Sequence, residues 1–136
     1  MSVTFSDQDK VTLRNAAYGA VTLMAAAAGA DSPHKVATQG SIALTSATGP
    51  VGHVLAEKSS VGDLGGKSAA EIADRVLPAL TQAMDLLRKQ APEEAGNFRD
   101  TVLVAVEAGA RTAKGGTANP TLAAMTRKIT DALDAA

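Results

Sequence analysis

The chain has 136 residues, enough for one domain with its own core, and 46% of them are hydrophobic against 20% charged. Thirteen Lys and Arg stand against 14 Asp and Glu, a net charge of −1 with no basic run longer than two, which excludes the electrostatic footprint of a nucleic-acid or anionic-membrane binder. There is no Cys, so disulfides, thiolate chemistry and cysteine-ligated metals are excluded, and two Phe, one Tyr and no Trp leave the core to Leu, Val, Ile, Met and close Ala contacts, a composition that favours helices.

The N-terminus MSVTFSDQDK is acidic where a signal peptide needs a basic region, which points to the cytoplasm. Ser6-Asp7-Gln8-Asp9 predicts a helix start: Ser6 caps, and the two carboxylates complement the helix dipole. Leu13, Ala17, Ala20, Val21, Met24 and Ala28 then follow helical spacing until Gly29. The most apolar stretch, Ala16 to Ala30, is mostly alanine and too short to span a bilayer. Its ridges Ala16-Ala20 and Ala26-Ala30 suit either internal packing or a seam between copies.

Ser32-Pro33 opens a second helix, with Val36, Ala37, Gly40, Ala43, Leu44 and Ala47 inward and Gly49-Pro50 as its end. Val51 to Lys58 reads as a short helix with Val51, Val54 and Leu55 inward, or as a brief strand. Ser59 to Lys67 is loop. Ser68-Ala-Ala-Glu71 has the form of a capping box, and Ile72, Val76, Leu80, Met84 and Leu87 make one apolar stripe behind it. Pro78 inside that stripe predicts a kink or break near Val76 or Leu77.

Pro92-Glu93-Glu94 starts the next helix, its regular part delayed by Gly96-Asn97. Phe98, Val102, Ala105, Val106, Gly109 and Ala113 form its inner face, and Gly115-Gly116 stops it. Asn119-Pro120 caps and opens the last helix, carried by Leu122, Met125, Ile129 and Leu133. The pattern predicts one all-α domain over residues 1–136, a compact bundle of five or six helices with antiparallel neighbours. Two stretches echo each other, Val21 to Gly29 with its polar turn at Pro33, and Val102 to Gly109 with its turn at Pro120.

Chemistry is sparse. Gly62-Asp-Leu-Gly-Gly-Lys-Ser68 approaches a phosphate-binding loop, but only three residues separate Gly62 from Gly66 and no buried strand precedes it. What survives is a weaker anion site on a helix N-terminus, formed by Gly65, Gly66, Lys67 and Ser68, with Glu71 competing for the same end. Lys114, Gly115, Gly116 and Thr117 make a similar turn before the last helix. Ser32-Pro-His34-Lys35 matches Ser-x-x-Lys, yet the companion Ser-Asp-Asn and Lys-Thr-Gly elements are missing, and Ser32 reads as a helix cap. His34 and His53 stand on different elements, outside any metal-binding spacing. Glu93, Glu94, Asp131 and Asp134 read as helix-end charges, and Asp74, Arg75, Asp85 and Arg88 as a solvated face.

Phe98 to Gly115, its turn, and Leu122 to Leu133 resemble the repeated hairpin of the tellurite-resistance TerB-like family, with an echo at Val21 to Leu44. The resemblance implies an all-α bundle. It does not bring that family's acidic turn, because Lys114-Gly115 stands where Asp-Gly belongs, Leu122 and Met125 stand in place of a Glu, and only Asp31 matches in the first hairpin. No cofactor, metal, nucleic acid or membrane is expected. The functional expectation is a non-catalytic cytoplasmic protein acting by association with itself or a protein partner. The alternative is a small-ligand or anion-binding domain.

Overall fold

Helix starts and apolar stripes both find their places in the computed structural model, which describes residues 5–28, 33–46, 48–56, 68–112 and 119–135, the side chains at 33–35, 50 and 56 apart. In chain order the helices are α1 (Asp7–Ala27), α2 (Pro33–Thr45), α3 (Gly49–Ala56), α4 (Ala69–Gln90), α5 (Pro92–Thr112) and α6 (Pro120–Asp134). Among the described residues there is no strand, and no helix is long and apolar enough to cross a membrane. The architecture is an all-α bundle.

Local chemistry sets the helix starts. Ser6 Oγ accepts from Asp9 N at 3.1 Å and the Asp9 carboxylate accepts from Ser6 N at 3.2 Å, a complete capping box. Ser68 Oγ accepts from Glu71 N at 3.2 Å, the hydroxyl half of the expected box. Asn119 Oδ1 accepts from Thr121 N at 2.9 Å and Leu122 N at 3.3 Å, with Pro120 next to it in the first turn.

Two antiparallel pairs organise the core: α1 packs most extensively on α4, and α2 on α5. Between α2 and α5 the order is clear from the contacts. Val36 meets Gly109, Gly40 meets Ala105, Thr48 meets Asn97 and Val51 meets Glu94, so each step along α2 and into α3 matches an equal step back along α5. A Cβ added at Gly109 would stand 2.9 Å from Val36 Cγ1 and 3.0 Å from the Val36 carbonyl oxygen, and one at Gly40 would stand 2.7 Å from Val21 Cγ1. Missing side chains at these two positions let the helices close to this distance. The last helix leaves α5 and lies more on α4 than on α5, so the two echoing stretches are not closed hairpins of equal build.

Of the inward residues read from the sequence, Leu13, Ala17, Ala20, Val21, Met24 and Ala28 on α1, the whole Ile72 to Leu87 stripe on α4, and Leu122, Ile129 and Leu133 on α6 are buried, as are Val36, Gly40 and Leu44 on α2 and Phe98, Val102, Ala105, Val106 and Gly109 on α5. Ala37, Ala43 and Met125 are only half-buried, and Ala47 and Ala113 lie outside the described residues. Ala16 and Ala20 are fully enclosed within the chain, which makes that ridge internal packing. Two local expectations are corrected, and of the kink or break expected at Pro78 the break is absent. Pro78 neither breaks nor ends α4, which runs unbroken from Ala69 to Gln90. Pro78 is on the exposed side of the helix. Gly96-Asn97 does not delay α5, which is helical from Pro92, because Ala95 and Phe98 are buried on the core side. Gly49-Pro50 opens α3 instead of closing α2. Gly49 turns the chain at φ +76°, a conformation natural to glycine, and Pro50 follows in the first turn, where a missing N–H costs nothing.

One ion pair ties the last helix down. Arg99 on α5 grips the Asp134 carboxylate with a fork, Nε to Oδ1 at 2.7 Å and NH2 to Oδ2 at 3.2 Å. That grip, first by hydrogen bond and then by charge, holds the Asp134 carboxyl below its ordinary 3.8. A depressed folded value means the contribution is present above the ordinary carboxylate range and lost as pH falls through the folded value. Melting wild type and Asp134→Asn side by side is therefore expected to show wild type the more stable near neutral pH. The difference should close as pH drops below about 4.

Candidate functional site

The two stretches expected to hold an anion fall mostly outside the described residues: Gly65, Gly66 and Lys67 in one, and Lys114, Gly115, Gly116 and Thr117 in the other. Ser68 is described and exposed, and its hydroxyl oxygen receives the Glu71 amide. At the start of α6 the Asn119 side chain takes the Thr121 and Leu122 amides, two of the donors a helix N-terminus offers to an anion.

The other candidate groups are dispersed. Ser32 lies outside the described residues, as do the side chains of His34 and Lys35, while His53 is exposed on α3. Asp85 pairs with Lys89 at 3.0 Å on the solvated face of α4. Among the described residues no group of three or more His, Asp or Glu is placed to hold a metal ion.

Glu94 does more than its place in a first helical turn suggests. Its Oε1 accepts from Val51 N at 3.0 Å, so α5 caps the N-terminal end of α3 across 43 residues of sequence. Asn97, one turn further, donates from Nδ2 to the Thr48 carbonyl at 2.9 Å. At the other end of α3, the Tyr18 hydroxyl donates to the Leu55 carbonyl at 2.8 Å. Burial pushes the Tyr18 hydroxyl above its ordinary 10.0, with the charge of Arg14 pulling the opposite way, so the phenol keeps its proton and remains a donor. Arg14 itself, one turn before Tyr18 on α1, is buried to 7% exposure. This polar set fastens α3 at both ends; it has no nucleophile–base arrangement.

The outer surface of the α2–α5 pair is different. Ile42 is 53% exposed and Val104 57% exposed, the two most exposed large apolar side chains described. The antiparallel order of α2 and α5 puts them at the same level. Beside them runs a shallow groove of about 230 Å³ lined by Ala43, Ser46, Asp100, Thr101 and Val104. Neither Ile42 nor Val104 falls on the inward spacing read from the sequence, and that was the available signal: Val36, Gly40 and Leu44 point in on α2, and Phe98, Val102 and Val106 on α5, leaving these two branched residues outside. A second groove of similar size lies between α5 and α6, lined by Glu107, Ala110, Leu122, Ala123 and Thr126.

Comparison with known proteins adds no relative to this geometry: no family model, no curated protein and no solved structure matches the chain.

Proposed function

We propose that this protein works by association, not catalysis, and that the outer α2–α5 face is where a protein partner sits. The observation that carries it is the pair Ile42 and Val104, exposed together on a bundle whose other large apolar side chains are mostly enclosed. Exposed apolar surface collected at one place, with a groove beside it, is the usual mark of a contact surface. The cytoplasm remains the expected setting, and the TerB-like resemblance bears on fold alone.

Two substitutions separate a contact role from a folding role. Ile42→Lys with Val104→Lys is expected to change the stability of the isolated chain by no more than about 0.5 kcal/mol, as for other surface positions. In gently lysed cells of the native host, a tagged wild-type chain should elute above monomer mass and the double variant at monomer mass. Wild type eluting at monomer mass, or a double variant that melts far below wild type, would overturn the reading.

A further inference from the structure

We propose that α3 is a conditional helix, a strap that unwinds and lifts from α1, α2 and α5 as one unit while the rest of the bundle stays folded.

Its own sequence makes it a poor helix. Of Gly49-Pro-Val-Gly-His-Val-Leu-Ala56 only Leu55 and Ala56 are good helix formers, and Gly52 and two β-branched valines stand inside it. Eight residues also fall short of the roughly 12 at which an isolated helix begins to hold in water. From Val36 to Ala56 the sequence has no Asp, Glu, Lys or Arg, so α3 brings no carboxylate to its own N-terminal end.

Other helices supply what is missing. Glu94 receives the Val51 amide at 3.0 Å, Asn97 donates to the Thr48 carbonyl at 2.9 Å, and Tyr18 donates to the Leu55 carbonyl at 2.8 Å. The Val51 amide belongs to the first turn of α3 and the Leu55 carbonyl to its last, the groups that a helix leaves without internal partners. These bonds therefore require α3 to be helical, and the helix requires these bonds. Docking and winding are one event. Burial of Val51, Val54 and Leu55 completes it, while His53, the one polar side chain described on α3, is exposed.

The unit is separable. Among the described residues α3 rests on α1, α2 and α5 and touches neither α4 nor α6. The α1–α4 and α2–α5 pairs are built from longer helices and stay in contact without it. Gly49, at φ +76°, is where the chain turns into α3, and a residue free to take either sign of φ suits a pivot. Small units of this kind open below the free energy of global unfolding. Opening bares Val51, Val54 and Leu55 and the α1–α2–α5 seam beneath them, an apolar surface that the closed form hides.

Hydrogen exchange of the whole chain in rising urea, under conditions where exchange follows the opening equilibrium, tests the strap. Amides of residues 53–56 are expected to exchange about tenfold or more faster than those of Leu80 and Met84 in α4. Their urea dependence should be shallower, because the slope follows the surface exposed. Ile129→Val, at a fully buried site on α6, weakens the whole fold and should speed α4 exchange about fivefold while leaving α3 unchanged. At exposed position 53 helix propensity is the main variable, so His53→Gly should exchange about fivefold faster in α3 than His53→Ala. Amides of α3 that match α4 in rate and slope, or that quicken with Ile129→Val, overturn the separate opening. Exchange in α3 without any urea dependence is fraying bond by bond and overturns the single unit. Equal α3 rates in the two His53 variants overturn the coupling of docking to winding.

Discussion

Gly109→Ala is expected to lower the stability of the chain by about 1–3 kcal/mol, the range for overpacking a well-filled contact. The added methyl would meet Val36 Cγ1 at 2.9 Å and the Val36 carbonyl oxygen at 3.0 Å. A side-chain methyl can turn aside, but a carbonyl moves only with its helix. The gain in helix propensity, about 1 kcal/mol for Gly to Ala, is set against that clash and reduces it without reversing it. Gly96→Ala on the same helix is the control. Gly96 is exposed and its added methyl meets nothing within 4 Å, so only the propensity remains. It should stabilise the chain by about 0.5–1 kcal/mol. Urea melts followed by circular dichroism at the helical band read both. Equal effects for the two substitutions would mean that α2 and α5 are not in close contact at Gly109.

Removing the fastening of α3 is the second large effect. Glu94→Ala takes away the carboxylate that receives the Val51 amide and leaves a helix start without its cap. The loss of a helix cap costs about 0.5–2 kcal/mol. Tyr18→Phe removes the donor to the Leu55 carbonyl at the opposite end, worth about 1 kcal/mol for a typical hydrogen bond. The two contacts hold the same short helix, so the double variant should not be a simple sum. Hydrogen exchange is expected to show faster exchange in α3 amides than in α4 amides once either contact is gone. Glu93→Ala, at the neighbouring exposed carboxylate, should leave exchange in α3 unchanged. Protection of α3 that survives both substitutions would show that burial of Val51, Val54 and Leu55 alone keeps it docked.

Much of the fold was legible because its signals are local. Ser6, Ser68 and Asn119 cap helices through bonds that span two or three residues, and the stripe from Ile72 to Leu87 needs only helical spacing. Of the kink or break expected at Pro78 only the break is decided, since α4 continues through it with Pro78 on the exposed side. Local rules took Gly49-Pro50 for an end because glycine and proline also stop helices; here the next helix follows at once. Glu94 could not be read at all. Its partner, Val51, is distant in sequence, and a carboxylate in a first helical turn already has a sufficient local explanation. Gly40 and Gly109 were placed inward by spacing, but the need for glycine itself comes from how near Val21 and Val36 approach.

The surface was legible only by subtraction. Ile42 and Val104 fall off the inward spacing, and the neutral run from Val36 to Ala56 stands out once α2 is known to be half exposed. The two glycine-rich anion stretches lie mostly outside the described residues.

The central claim is that the α2–α5 face is occupied in the cell. A photo-reactive amino acid at Gln39, exposed on α2, would test it in living cells of the native host, with the same group at Gln82, exposed on α4, as reference. The expected result is a covalent adduct from position 39 that is absent from position 82 and is lost when Ile42 becomes Lys. No adduct from position 39, or equal adducts from both positions, would contradict the claim.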